Sequence, residues 1–166
     1  MDTQVLRNIS NMIEDAISAY EELLCFYKEK KQALLKQDKD MLAFVDEKII
    51  AQVKYLKNLT TKREEFCKEN DIAPIKITEL IELAQKEYPD FQEIYENQKV
   101  KIREVADELM LIEKTNVELI KHNLTMSDKL LDIIISAAVS QKDNYDRRGR
   151  NVDTGELSIG SMVEEA

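Results

Sequence analysis

The feature that most constrains the fold of this chain is its shortage of turn-forming residues. The 166 residues include only 3 Gly and 2 Pro, and the first glycine is Gly149. Glycine supplies the positive φ of many tight turns, and proline ends helices and interrupts sheets. Long helices need few such residues, whereas a sheet protein needs many. The sequence therefore predicts an all-α fold: an elongated antiparallel helical bundle or coiled-coil hairpin, with one long C-terminal helix and a flexible tail.

Apolar residues that recur at alternating spacings of four and three predict four helices. We expect these helices to cover residues of about 3–36, 39–68, 78–88 and 90–141. Only a short polar break separates the first two, which allows an antiparallel hairpin or one kinked rod, and we favour the hairpin. Residues 1–142 should form the helical domain. Residues 143–166 contain all three glycines and lose the apolar period, which predicts a flexible tail.

Polar residues at three positions are expected to begin helices. Asp38 precedes the second helix and Thr78 the third. Asp90 precedes the fourth, where Glu93 gives the spacing of a capping box. Between the second and third helices, residues 75–77 alternate like a short extended strand.

Charge and composition disfavour several classes of partner. The formal net charge of −9 at pH 7 argues against nucleic acid, because phosphate binding needs a basic face. No stretch approaches the eighteen or so consecutive apolar residues of a membrane span, and the first residues do not resemble a signal peptide. Cys25 and Cys67 lie in helical patterns, where a reduced thiol acts as a small hydrophobe. We therefore expect a cytoplasmic protein without stable membrane insertion.

Catalytic chemistry finds little support in the sequence. His122 is the only histidine, and it lacks the Glu-x-x-His spacing of di-iron bundles, so no metal site is predicted. A glycine-rich phosphate loop is excluded before Gly149. The sequence predicts neither an enzyme nor a cofactor.

The fourth helix places two asparagines on an apolar seam. A strict four-three register runs from Val105 to Ala137 and includes Asn116 and Asn123, seven residues apart. A buried asparagine in a coiled coil costs stability and fixes register or partner number. Alternatively, the seam drifts around a straight helix and leaves both asparagines at its edge. The sequence leaves these alternatives open.

Beyond Leu124 the apolar face of this helix widens. At 100° per residue, the apolar side chains from Leu124 to Ala138 cover an arc of roughly 200°. A helix that packs on one neighbour needs about half of that arc. Either a second helix of the same bundle or a helical partner protein would cover the surplus.

Four segments together resemble a known family. These are "YEELLCFYKEKKQALLKQDKDMLAFVDEKIIAQVKYLKNLTTKREEF", "IKITELIELA", "EKTNVELIKHNLTMSDKLLDII" and "YDRRG". Within them, Asp38, Arg63, Asn116, Leu119 and Asn123 stand at recurrent positions of the family. In this order and spacing, the segments resemble the FlgN family of flagellar type III export chaperones. The tail after Gly149 has no counterpart in the pattern.

The resemblance implies a cytoplasmic chaperone that binds flagellar hook-associated proteins, the proteins of the hook–filament junction. It would prevent their premature self-association and deliver them to the flagellar export gate. The family binds its clients through the C-terminal helix, and we expect the client-binding residues to be Leu124, Leu130, Leu131, Ile134, Ile135, Ala138 and Val139. The position of Tyr145 implies contact with the export-gate protein, whereas packing against the bundle end is the simpler interpretation of this residue.

A second interpretation is structural. The chain would then be a self-associating coiled-coil or adaptor protein of a secretion apparatus, and the apolar arc would close a homodimer.

Overall fold

The computed structural model of the chain describes residues 3–72 and 76–142, with side chains described as far as residue 137. Within these residues there are four helices and no strands: α1 (Thr3–Lys36), α2 (Lys39–Glu69), α3 (Ile77–Glu87) and α4 (Pro89–Lys142). The all-α prediction is confirmed. Relative to the expected bounds, α2 ends one residue later, α3 lies one residue earlier, and α4 extends one residue further at each end.

The chain divides into two compact units, Met1–His122 and Asn123–Ala166, and α4 contributes residues to both. The first unit contains α1, α2, α3 and the part of α4 up to His122. The described part of the second unit consists of residues 123–142 of α4. The expected division at residue 142 stays a prediction, because the tail from 143 onward lies outside the described residues.

The first two helices form an antiparallel hairpin, so the alternative of one kinked rod is wrong. Lys30 Nζ lies 2.7 Å from Asp46 Oδ1, close to the turn between the helices. Farther from the turn, Gln52 Nε2 donates a hydrogen bond of 2.8 Å to the carbonyl oxygen of Ala19. Residue numbers thus rise along α1 as they fall along α2, which defines the antiparallel direction.

The turns after α1 and α2 are built without glycine. Gln37 has φ 54° and Asp71 has φ 53°, the left-handed conformation in which glycine is usually found. After α1, the Asp38 N–H donates to Ala33 O at 3.0 Å, and the Gln37 N–H donates to Leu34 O at 3.3 Å. The corresponding two bonds end α2: the Ile72 N–H donates to Cys67 O at 2.8 Å, and the Asp71 N–H donates to Lys68 O at 3.2 Å. Both ends are therefore Schellman motifs with a non-glycine residue at the strained position.

The expected helix starts are confirmed at one position and wrong at two. Asp38 caps α2, because its Oδ1 accepts a hydrogen bond of 3.0 Å from the Met41 N–H. Helix α3 begins at Ile77 rather than after Thr78. Its N-cap is Lys76, whose N–H donates to Glu79 Oε2 at 2.9 Å, so a carboxylate inside the helix supplies the cap.

Residues 76 and 77 do not form the expected strand, since Lys76 caps α3 and Ile77 is its first residue; Ile75 lies outside the described residues. Helix α4 begins at Pro89 rather than after Asp90. Proline is favoured in the first turn of a helix, because a backbone N–H at that position would have no carbonyl acceptor within the helix. Asp90 lies in that turn, where its carboxylate interacts favourably with the positive end of the helix dipole.

Helix α4 packs parallel to α1 within the first unit. The Tyr95 hydroxyl donates to Leu6 O at 2.8 Å, and Gln98 Nε2 donates to Ser10 O at 2.9 Å. Farther along, Lys101 Nζ lies 3.1 Å from Glu14 Oε1, and Asn116 Nδ2 donates to Tyr27 O at 3.0 Å. The partners are 89, 88, 87 and 89 residues apart. The two helices therefore keep one register along most of α1.

Two clusters of buried side chains lie along α1. The first joins the beginning of α1 to α3 and the beginning of α4, and its buried members are Leu6, Ile9, Ile13, Ile17, Leu80, Ala84, Phe91 and Tyr95. The second joins the later part of α1 to α2, with Leu109 of α4 packed against it, and its buried members are Ala19, Leu23, Val45, Ile49 and Leu56. Because α1 contributes to both clusters, it is the central helix of the first unit.

Candidate protein-binding surfaces

Polar side chains on the packed face of α4 bond to backbone carbonyls of α1. Tyr95 is fully buried, Gln98 is buried one turn further along the helix, and Asn116 is buried farther along the same face. Each donates to a carbonyl oxygen of α1. Gln52 of α2 makes the same kind of bond to Ala19 O from the other side. These bonds fix the positions of α2 and α4 along α1, because a donor can reach its carbonyl only in one register.

The two asparagines of the predicted seam lie in different surroundings. Asn116 is 2% exposed, and its Nδ2 is bonded to Tyr27 O. Its Oδ1 is buried and has no hydrogen-bond donor among the described residues. Asn123, the first residue of the second unit, is half-buried. The role of both residues in fixing register stays a prediction.

Burial changes the acidity of two tyrosines next to these bonds. Loss of solvent raises the pKa of Tyr95 to about 12. Burial also raises the pKa of Tyr27, and the nearby Glu113 carboxylate adds to this effect. Both phenols therefore stay protonated at neutral pH, so the Tyr95 hydroxyl keeps its hydrogen for Leu6 O.

In the described part of the second unit, α4 exposes its apolar side chains. Every residue from Leu124 to Ala137 is exposed. Among the predicted client-binding residues, the exposed fractions are 61% for Leu124, 57% for Leu130, 55% for Leu131, 63% for Ile134 and 48% for Ile135. We call this surface the apolar arc. Ala138 and Val139 lie in α4, but their side chains are outside the described part, and Tyr145 lies beyond the described residues altogether.

The sequence repeat that marks the packed face of α4 also runs through the residues of the apolar arc. In the first unit this face carries Val105, Leu109, Ile112 and Asn116, all buried or half-buried. Leu130 and Ile134 stand fourteen and eighteen residues after Asn116. Both spacings are close to a whole number of helical turns, so a regular helix would place these residues on the same side as Asn116. Both are exposed. The sequence therefore encodes a packing face along residues that the structure leaves in solvent.

The polar anchors on the packed faces were not all anticipated from sequence. Gln52 falls on the four-three repeat that Val45, Ile49 and Leu56 form in α2. The repeat therefore predicts that this polar residue is buried. Gln98 stands three residues after Tyr95 and seven before Val105. It therefore falls on the corresponding repeat of α4, which predicts that it is buried too. Neither pattern indicates that the amide would bond to a carbonyl of α1, because the direction of packing is not encoded in the spacing.

The described residues hold no group of three or more His, Cys, Asp or Glu side chains that could bind a metal ion. Cys25 is exposed and Cys67 is buried, and neither is in a disulfide. None of the helices is long and apolar enough, over its described residues, to cross a membrane.

The described residues thus combine a helical bundle in the first unit with an exposed apolar helical segment in the second. Comparison with protein families gives a match to the FlgN protein family over residues 1–153. The chain therefore belongs to the FlgN family, a family of flagellar export chaperones rather than enzymes, whose members bind flagellar proteins. Comparisons with curated proteins and with solved structures find no match.

Proposed function

We propose that this chain is a cytoplasmic, non-enzymatic export chaperone whose clients are flagellar hook-associated proteins. It binds them before export, prevents their self-association and delivers them to the export gate. Membership of the FlgN family supports the general role. The apolar arc supports the mode of binding, because an uncovered apolar surface of this kind is typical of a protein-interaction site.

The client would contact the arc through an apolar helical surface. Five of the proposed residues, Leu124, Leu130, Leu131, Ile134 and Ile135, are about half exposed or more. Ala138 and Val139 extend the set by one helical turn. Burial of one leucine or isoleucine side chain contributes about 1.5–3 kcal/mol, so a few of these residues suffice for stable binding. Amphipathic helices commonly bind in this way, with anchors three and four residues apart.

Substitutions within one helix test this assignment. Leu131→Asp and Ile135→Asp each place a carboxylate on the arc, whereas Ser136→Asp adds the same charge on the polar side of the same helix. We expect the first two to weaken binding of a hook-associated protein by at least about tenfold, equivalent to the loss of about 1.4 kcal/mol. Isothermal titration calorimetry measures the affinity, and circular dichroism verifies that helix content is kept. Equal affinity for all three variants would refute the arc as the client site.

Delivery to the gate is proposed to involve Tyr145. The substitution Tyr145→Ala should leave client affinity unchanged and weaken binding to the export-gate protein. Pull-down of the purified gate protein by the chaperone–client complex measures the second effect. Loss of client binding in this variant would contradict the separation of the two roles, and unchanged binding to both partners would favour packing of Tyr145 against the bundle.

The same arc supports a second candidate function, a self-associating coiled-coil or adaptor protein of a secretion apparatus. In that case a second copy would cover the arc in a homodimer. Light scattering separates the two candidates. A homodimer that Leu131→Asp dissociates favours self-association, whereas a monomer that forms a one-to-one complex with a hook-associated protein favours the chaperone.

A further inference from the structure

The first unit contains an open cleft where all four helices meet. Its volume is about 400 Å³. The floor is apolar and buried and comes from α1, α2 and α3, with Ile9, Ile13, Cys67 and Leu80. Ile102 of α4 also lines the cleft and is 36% exposed, which places it toward the opening.

A second cleft of about 210 Å³ shares Ile102 with the first. It lies between α1 and α4, and its other lining residues are Ile17, Tyr20, Val105, Ala106 and Leu109. We call the two clefts together the Ile102 groove. On α1 the groove extends from Ile9 to Tyr20, which at 1.5 Å per residue is about 16 Å, or three turns of a helix. A partner helix of about three turns therefore matches its length.

Two cations at one end of the Ile102 groove are outside the ion pairs formed among the described residues. Arg63 of α2 and Lys76 at the start of α3 line the first cleft, and both residues are exposed. Among the described residues, the ion pairs are Lys28–Glu108, Lys30–Asp46, Lys48–Glu29 and Lys101–Glu14, and none of them involves these two cations. These two positive charges lie at one end of an otherwise largely apolar cleft, beside one carboxylate, that of Glu64, which also lines it.

We propose that the Ile102 groove binds an acidic amphipathic helix of a partner protein. Apolar side chains at helical spacing would occupy the two clefts on either side of Ile102. Carboxylates at one end of that helix would pair with Arg63 and Lys76. Such an arrangement combines apolar anchors, which supply affinity, with charge pairs, which select the partner and its direction. The groove lies within the first unit and contains no residue of the apolar arc, so this site is independent of the proposed client site.

A labelled peptide tests the groove directly in the full-length protein. The probe is a fluorescein-labelled helical peptide of about three turns with leucines at positions i, i+3 and i+7 and glutamates at one end. Its counterpart carries lysines in place of the glutamates. Fluorescence anisotropy gives the affinity of both peptides. We expect the acidic peptide to bind at least about tenfold more tightly than the basic one, because its glutamates would pair with Arg63 and Lys76 whereas lysines would meet like charges there.

Matched substitutions locate the binding site. Arg63→Gln and Lys76→Gln should each weaken binding of the acidic peptide by about three- to tenfold, whereas Lys62→Gln, which removes a neighbouring charge outside the cleft lining, should not. Ile102→Glu should weaken binding by more than about tenfold, and Val100→Glu, on another side of α4, should leave it unchanged.

The proposal would be overturned by equal affinity for both peptides, by unchanged binding to the Ile102→Glu variant, or by a homodimer that this variant dissociates, since a second copy would then fill the groove. The Arg63 and Lys76 variants are substitutions at exposed positions and keep the test valid if Ile102→Glu fails to fold. Leu131→Asp serves as a further control, because loss of peptide binding in that variant would place the peptide on the apolar arc instead.

Discussion

Asn116 donates its amide hydrogen to the carbonyl oxygen of Tyr27, over 3.0 Å and across 89 residues of sequence. Near the other end of the same helix pair, Tyr95 donates to Leu6, again across 89 residues. The two bonds lie 21 positions apart on α1 and 21 positions apart on α4, so the two helices have the same offset at both points. An insertion in either stretch would break one of the two bonds, so this pairing fixes how α4 lies on α1.

The Tyr95 bond predicts a loss of stability at alkaline pH. Burial raises the pKa of Tyr95 to about 12 in the folded protein, against 10.0 for an ordinary tyrosine. The folded state therefore holds the proton more tightly than the unfolded state does. The resulting stabilisation is fully present below about pH 10 and is lost as pH rises through about 12. At 1.36 kcal/mol per pKa unit, it amounts to about 2–3 kcal/mol.

The variant Tyr95→Phe isolates this effect, because it removes the titrating group and keeps the ring. At pH 7 it should cost about 1 kcal/mol, the net contribution of one hydrogen bond. Lysines and the other tyrosines titrate equally in both proteins, so the comparison uses the difference in free energy of unfolding. Urea denaturation at several pH values measures it, and we expect the wild-type advantage to shrink and then reverse above pH 10. A difference that stays constant with pH would contradict the assignment.

Substitutions at Asn116 should separate the effect of polarity from that of charge. Asn116→Leu loses the bond to Tyr27 O but also removes a buried oxygen without a donor, so its effect on stability should be within about 1 kcal/mol. Asn116→Asp should destabilise the protein by about 2–4 kcal/mol at pH 7, because a buried carboxylate would face a carbonyl oxygen.

The introduced carboxyl group would have a raised pKa in the folded state, since burial favours its neutral form. The stability of Asn116→Asp should therefore recover as pH falls toward 4. Thermal unfolding of the two variants and the wild type across this range checks the prediction. A deficit that is the same at pH 4 and pH 7 would show that shape, not charge, decides the cost.

Glycine should stabilise the two helix ends that lack it. Gln37 and Asp71 have positive φ, which costs a side-chain-bearing residue roughly 1 kcal/mol relative to glycine. Gln37→Gly should therefore raise the free energy of unfolding by about 0.5–1 kcal/mol. Asp71→Gly should gain less, because aspartate tolerates this conformation better than glutamine does. Chemical denaturation measures both values, and Lys31→Gly, within α1, serves as a control that should lose about 1 kcal/mol.

The repeat of apolar residues was sufficient to predict the helices, and in α2 it also identified the packed face. Val45, Ile49 and Leu56 are buried, and so is Gln52 between them. In α1 the prediction succeeded less well. The four-three repeat of α1 consists of Ile9, Ile13, Ala16, Tyr20, Leu23 and Tyr27. Of these, Ile9, Ile13 and Leu23 are buried, but Tyr20 is 41% exposed, and Ile17, outside the repeat, is buried instead. Because α1 packs against α2 and α4 on different sides, its buried surface is wider than one seam and moves around the helix.

The starts of α3 and α4 were missed for a different reason. Thr78 and Asp90 have the side chains that usually cap helices, yet Lys76 caps α3 through the carboxylate of Glu79, and α4 begins at Pro89. A cap depends on which backbone N–H groups are left free, and that is decided by where packing ends each helix. The exposure of Leu130 and Ile134 was not encoded in the periodicity either, because a packing face looks the same in sequence whether or not a neighbour covers it.

Asp38 ends one helix and begins the next. Its N–H closes α1 on Ala33 O, while its carboxylate caps α2 at the Met41 N–H. The hydrogen bonds and ion pairs of this hairpin join residues 16 to 33 positions apart, as in Lys30–Asp46 and Gln52–Ala19. Those between α1 and α4 join residues 80 to 89 positions apart. Because closure entropy grows with loop length, the hairpin should form first and act as the template on which α3 and α4 assemble. During synthesis, α1 would therefore acquire α2 as its partner while the residues of α4 are still to be translated.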